Sequence, residues 1–352
     1  MKKNQLGLSL IELMISITLG LFLLTGVVQV FLSSKSVYTS QQAMSRVQEA
    51  GRLAIDFLAK DIRMAGYMGC STRAANMVIA NTLNDATEFQ YDFSAAIRGY
   101  TASNVPAGAI TATVRPNTDV LVVRSATGSG VKIASANSDE FLFAEKVGDL
   151  EVGVCPGGGN RVSGICEREI LAVTDCAKAR IFQATAFTVA GAVVNVAHAN
   201  TGTPGNATPT WGGAAAPENE TFQSGAEILS ATTKIYFIAN NATTNQPGLW
   251  QSVNGVEAEL LEGVEDLNIL YGVDTSSDIF SVPSKYVAAG SVTSAEWPKV
   301  VSVRVELLVA TAEDRVVAEP QKYKFQNVDV TATDKKLRQV FTTTIGIRSR
   351  GV

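Results

Sequence analysis

Glu12 is the first side chain whose type and position call for chemistry. It lies in "KKNQLGLSLIELMISITLGLFLLTGVVQVFLSSK", residues 2–35, immediately ahead of an uncharged run from Leu13 to Ser34. A carboxylate near the start of a membrane-length apolar helix costs roughly 2 to 4 kcal/mol on insertion scales, so it must be compensated or used. A lone carboxylate in an apolar setting is penalised, whereas one paired with a cation is not. The pattern therefore asks for a cationic partner at the same end of the helix.

The other reactive types are sparse. His198, the only histidine, stands in "NVAHANTG", a polar turn-like stretch that reads as solvent-exposed. The sequence has no G-x-S-x-G elbow, P-loop or H-E-x-x-H, so no nucleophile, phosphate cradle or zinc-protease helix is indicated. The paired acids Glu257 with Glu259 and Glu265 with Asp266 have the spacing of solvated faces. "DTSSD", residues 274–278, holds hard oxygen ligands but lacks the spacing and glycine of an EF-hand loop. These residues imply neither an enzyme nor a cofactor, and no metal site is assigned.

The elements that must position Glu12 follow from hydropathy and charge. The chain has 352 residues, 46% of them hydrophobic, enough for a substantial core. The net charge is −4 and the basic residues are scattered rather than striped, so no direct nucleic-acid binding is expected. Leu13 to Ser34 is long enough as a helix to cross a hydrocarbon layer about 30 Å thick. Lys2 and Lys3 precede it, and the positive-inside rule keeps them in the cytoplasm and sends everything after Lys35 across the membrane. A cleavable secretory signal would need a shorter apolar core and a small-residue cleavage site, which "LTGVVQVFLSSKS" matches only weakly. A lipoprotein signal would need a cysteine just after the span, and the first is Cys70. Neither accounts for Glu12.

The segment "QLGLSLIELMISITLG" resembles the class III signal of type IV prepilins. In that family a short basic leader ending in glycine is removed on the cytoplasmic side, ahead of the apolar segment. The resemblance implies cleavage after Gly7, a new N-terminus at Leu8 and the family's fifth-position glutamate at Glu12. Leu8 and Ser9 depart mildly from the usual Phe and Thr. Cleavage would free an α-amine at Leu8, with a reference pKa of about 8, beside the Glu12 carboxylate. The resemblance further implies that this amine is N-methylated by the prepilin peptidase. Glu12 would then be a register key, satisfied on meeting an N-terminal amine, its own or a neighbour's, as a subunit docks into a fibre.

The helix is expected to continue past the membrane. "QQAMSRVQEAGRLAIDFLAKDIRMAG" places Met44, Val47, Ala50, Ala54, Phe57, Leu58, Ile62 and Ala65 at helical spacing. Arg46, Glu49, Arg52, Lys60 and Arg63 fall on the other faces, and Gly66 is a natural stop. No proline precedes Pro106, so one helix over 8–66 is expected, about 85 Å long at 1.5 Å per residue. Its soft points would be Gly20 and Gly26. The expected organisation is a leader over 1–7, the helix with its transmembrane half at 8–34 and amphipathic half at 35–66, and a periplasmic β-rich domain over 67–352.

Within that domain, strand patterns occupy 119–126, 168–174, 179–189, 226–240, 299–311 and 337–350. "EAELLEGVEDLNILYG", residues 257–272, reads as a short helix, and the turn-rich 200–220 as a mobile surface loop that could divide two lobes. The fold class is α+β, a long N-terminal helix followed by mainly antiparallel sheet. Cys70, Cys155, Cys166 and Cys176 make an even number in an exported domain, which points to two disulfides with three possible pairings. The preferred pairing is Cys155 with Cys166, closing the Gly-rich "CPGGGNRVSGIC", and Cys70 with Cys176. Spacings without a CxxC disfavour zinc.

Taken in order, "RLAIDFLAKDIRMAGYMGC", "LVVRSA", "DCAKARIF", "LEGVEDLNILYGVD", "VVSVRVELLVAT" and "LRQVFTTTIGIRSR" resemble the PilW-type minor pilins, relatives of the J-type minor pseudopilins of type II secretion. That resemblance implies a fibre subunit that joins other minor pilins in a priming or tip complex. The implied partners are the major pilin, a tip adhesin, the prepilin peptidase, the inner membrane and its assembly platform. Such a complex starts pilus assembly and supports twitching, adhesion or DNA uptake. A J-type pseudopilin and a membrane-anchored binding module that never assembles remain open alternatives.

Overall fold

The computed structural model of the chain describes residues 10–69, 78–276 and 282–349. One uninterrupted helix, α1, spans Leu10–Met64. It runs through Gly20 and Gly26 without a break because the chain offers neither a proline nor a competing side-chain cap there. Gly66 ends it in the left-handed region, φ +74°, and its N–H donates to the Arg124 carbonyl at 2.8 Å. A residue with no Cβ makes that turn without strain.

The fold is α+β, and the sheets are built on two long strands. Asp119–Ser135 pairs antiparallel with Glu227–Asn240, Val122 opposite Ile235. Around them an eleven-stranded sheet runs in the order Val78–Asn81, Lys178–Gln183, Ile170–Thr174, Glu227–Asn240, Asp119–Ser135, Phe141–Glu145, Val193–Ala197, Ala186–Ala190. Ile97–Thr101 joins beside Asp119–Ser135, and Pro247–Val253 pairs both Glu227–Asn240 and Val256–Glu262. Val78–Asn81 is parallel to its neighbour. A second sheet has the order Lys285–Ala288, Val264–Val273, Val300–Ala310, Arg338–Gly346.

The chain forms two compact units, Met1–Glu49 with Ala310–Gln339, and Ala50–Val309 with Val340–Val352. In the first, Ala43 of α1 packs with Val316 and Leu337, and Ser40 Oγ donates to the Val316 carbonyl at 2.9 Å. The hairpin Lys322–Phe325 with Val328–Thr331 also belongs to it. In the second, Ala54, Leu58 and Ile62 of α1 and Ala65 just after it are each fully buried. Gly51 of α1 packs closely, since a Cβ there would stand 2.2 Å from the Phe341 ring. The stretch 200–220 lies inside the second unit.

The six strand patterns are all strands, with Lys178–Gln183 and Ala186–Ala190 replacing the single run expected over 179–189. Two readings are corrected. Residues 257–272 form two strands, Val256–Glu262 and Val264–Val273, rather than a helix. Gly263 at φ +87° breaks the run, and Leu267, Ile269, Tyr271 and Val273 then alternate inward, each fully buried. Their pairing with Val300–Ala310 overrides a local spacing that mimics a helix. The turn-rich 200–220 is also not simply surface. Asn206 is fully buried, accepting the Gln183 N–H at 2.8 Å and donating to the Gln183 and Ala199 carbonyls, both at 2.9 Å.

Candidate functional site

The candidate site is α1 and the contacts that hold it. Glu12 occupies the first turn, where a carboxylate meets the positive end of the helix macrodipole. Around it Leu10 is 78% and Phe22 82% exposed, and the apolar side chains from Leu10 to Leu32 share that exposure. The helix is long and apolar enough to cross a membrane. Three of its hydroxyls are satisfied within the helix: Ser16 Oγ donates to the Glu12 carbonyl at 2.7 Å, Thr18 to Met14 at 2.6 Å and Thr25 to Leu21 at 2.8 Å. No polar atom of these three side chains then needs water, which is what a lipid-exposed segment requires. Gly7 and Leu8, where cleavage and methylation are expected, lie outside the described residues.

The amphipathic half is tied down by a polar contact that the sequence pattern alone does not announce. Asp61, 7% exposed, accepts from Lys234 Nζ at 2.9 and 3.0 Å, from Tyr236 Oη at 2.5 Å and from Gln251 Nε2 at 3.4 Å. Gln251 Nε2 also lies 2.6 Å from Tyr236 Oη. Burial and the adjacent Asp61 charge raise the Tyr236 hydroxyl far above its usual range, keeping it a donor. One local signal does exist: Asp61 sits seven residues after Ala54 and three after Leu58, so a carboxylate interrupts the apolar stripe. In the first unit, Arg46 and Glu313 make an exposed pair at 3.7 Å, a contact of little energetic weight. The stripe runs through Ala43 and Val47, while Met44, expected on it, is 38% exposed.

Cys155 and Cys166 form a disulfide, as expected, with Cα atoms 5.9 Å apart. It closes the loop carrying the small ladder Arg161–Val162 with Ile165–Cys166. Cys176 is disulfide-bonded, and Cys70, its expected partner, lies outside the described residues.

His198 is fully buried, which corrects the exposed reading. Its ring stacks on Trp211 at 4.2 Å, and Nδ1 lies 2.9 Å from the Pro209 carbonyl. Arg180 lies over Trp211 at 4.8 Å and pairs with Glu220 at 3.3 Å. Burial, with the Arg180 charge nearby, lowers the His198 imidazole to about 4. It is therefore neutral at pH 7 and part of an aromatic core that its polar sequence neighbours do not reveal.

The paired acids take structural roles. Glu257 accepts the N–H groups of Thr111 and Ala112, the latter at 2.9 Å, and Glu259 accepts from Asn241 Nδ2. Burial raises the Asp266 carboxyl to about 6, and burial likewise raises Asp119 to about 6 despite the Ile269 N–H it accepts at 2.7 Å. Asp274 accepts from Ser276 Oγ at 2.6 Å and is held below the usual carboxylate range by that hydroxyl, while Asp278 lies outside the described residues. Among the described residues no group of three or more His, Cys, Asp or Glu is arranged to hold a metal.

Two family models match the chain. Residues 2–28 match the prokaryotic N-terminal methylation motif, and residues 235–349 match type IV pilus-assembly protein W. The second stretch contains Tyr236 and Gln251 of the Asp61 contact and the whole second sheet. No curated protein and no solved structure matches.

Proposed function

We propose that this chain, which joins the prepilin methylation motif to a pilus-assembly W region, is a PilW-type minor pilin that helps start a type IV pilus. It is a structural subunit. The peptidase cuts between Gly7 and Leu8, the Leu8 amine is methylated, and Glu12 meets an N-terminal amine as the subunit docks. Lys2 and Lys3 stay in the cytoplasm while the domain from residue 67 onward lies in the periplasm, with 8–34 in the inner membrane. Other minor pilins, the major pilin and a tip adhesin then assemble with it on the platform, and the resulting fibre serves twitching, adhesion or DNA uptake.

The observation that carries this reading is α1, a single helix whose first residues, Leu10 to Leu32, expose their apolar side chains in the monomer. Such a surface suits lipid before assembly and neighbouring helices after it. The match to the W region favours the pilus over a J-type pseudopilin.

Two variants in a strain lacking the native copy test it. Gly7→Leu is expected to leave an uncleaved precursor, and a normal mature mass would sink the prepilin assignment. Glu12→Ala is expected to insert and be processed normally but to lose fibres, because the buried amine it would meet is left unpaired, a loss of about 3 kcal/mol. Wild-type fibre numbers together with normal co-purification of other minor pilins would remove Glu12 as the docking contact.

A further inference from the structure

The strand Arg338–Gly346 ends its sheet, with a neighbour on one side only among the described strands. Terminal strands present a row of backbone N–H and C=O groups, which folded proteins usually blunt with charged residues, prolines or bulges. Residues 339–347, "QVFTTTIGI", hold no charge and no proline. Phe341 lies against Gly51 of α1 and Ile345 is buried, whereas Thr342, Thr344 and Gly346 are exposed. A Cβ at Gly346 would meet no atom within 4 Å.

Three arginines flank this edge, beside one acid, Glu306, which accepts from Asn268 Nδ2 at 3.3 Å. Arg304, exposed on the adjacent strand, donates from Nε to Thr344 Oγ1 at 3.4 Å and lies over the Tyr286 ring at 4.4 Å. Arg348 and Arg63 are exposed just beyond the strand, where the Arg348 N–H donates to the Arg63 carbonyl at 3.0 Å. None of the three guanidinium groups takes part in an ion pair among the described residues. Among the described residues, an uncharged backbone ladder thus runs into three cations without carboxylate partners.

We propose that Val340–Gly346 is a docking edge, completed by an extended strand of a different protein with an uncharged centre and carboxylates at its end. The ladder of alternating donors and acceptors is complementary only to another extended backbone, which supplies the affinity, while the flanking arginines select the ends. A second copy of this chain is a poor occupant. Parallel pairing sets Arg348 against Arg348, and antiparallel pairing turns it toward 334–338, where Lys335, Lys336 and Arg338 outnumber Asp334. This inference goes beyond the assembly reading and needs neither leader cleavage nor Glu12.

The full chain in detergent micelles tests it by fluorescence anisotropy with a labelled peptide of alternating threonine and valine carrying two glutamates at each end. Saturable binding is expected, falling about tenfold when the glutamates become lysines and vanishing when every central backbone nitrogen is methylated. Arg304→Gln, an exposed substitution checked for unchanged near-UV circular dichroism, is expected to weaken the glutamate peptide about fivefold and leave the lysine peptide unchanged. Amide exchange across Val340–Ile345 is expected to slow when the glutamate peptide is added. Absence of binding, equal binding of the lysine or methylated peptide, unchanged exchange, or self-association of the chain through this strand would each overturn the proposal.

Discussion

Replacing Asp61 with alanine should loosen α1 from the sheet that supports it. The carboxylate is buried and accepts from Lys234, Tyr236 and Gln251. Removing one partner of a buried ion pair costs about 3 to 5 kcal/mol, most of it from the charge left behind. Two features place this case at the low end. The Lys234 side chain is 26% exposed and can regain water, and Tyr236 Oη keeps its contact with Gln251 at 2.6 Å. The expected loss is about 3 kcal/mol, or a fall in Tm of about 4 °C for a chain of this size. Asp61→Asn, which keeps the shape and one acceptor oxygen, should lose about half as much. Urea unfolding of the full chain in detergent, followed by tryptophan fluorescence, measures both. Adding Lys234→Met to Asp61→Ala should recover part of the loss, because the stranded charge is gone. If Asp61→Ala stays within about 0.5 kcal/mol of the parent, or if the two substitutions are strictly additive, the contact does not hold the helix as argued.

Four further outcomes are expected. His198 is lowered to about 4 when folded and sits at about 6.5 when unfolded, so its share of stability is whole above pH 6.5 and is lost as pH falls toward 4. That share amounts to about 3 kcal/mol at full extent. Asp119 and Asp266, both raised to about 6, act oppositely and lose stability as pH rises from about 4 through 6. Urea midpoints between pH 4 and 7.5 should therefore show a shallower acid loss in His198→Gln than in the parent. Asp266→Asn, after screening, should gain about 1 kcal/mol at pH 7.5 and nothing at pH 4. Replacing Cys155 and Cys166 with serine opens a loop of sequence separation 11, and chain entropy sets the expected loss at about 3 kcal/mol, read as a lower urea midpoint. Gly51→Ala drives a methyl to 2.2 Å from the Phe341 ring. It should cost about 1 to 3 kcal/mol, and Gly51→Ala with Phe341→Leu should recover much of it.

Elements with strong local signals are legible in the amino-acid sequence alone. An uncharged run of membrane length, two lysines ahead of it and a periodic stripe free of proline define α1 from neighbours within a few residues, so no distant contact is needed to read it. The strands at 119–126 and 226–240 are legible for the same reason, the first through a run of β-branched and apolar residues and the second partly through alternation. Even the Cys155–Cys166 bond follows from proximity in sequence.

Where the deciding partner lies far along the chain, the sequence is silent or misleading. Asp61 interrupts the apolar stripe, but what it binds appears only when Lys234 and Tyr236, more than 170 positions away, are brought to it. His198 reads as a turn residue because its own segment is polar, yet Trp211 stacks on it and Arg180 crosses from another strand. Leu260, Leu261, Val264 and Leu267 have the spacing of a helix, but hydrogen bonds to Val300–Ala310 pull the second half of that run into the sheet. Local sequence specifies which backbone conformations are inexpensive. Only the assembled tertiary structure determines which of them find their hydrogen-bond partners and which charges lose their water, because both depend on residues distant in the chain.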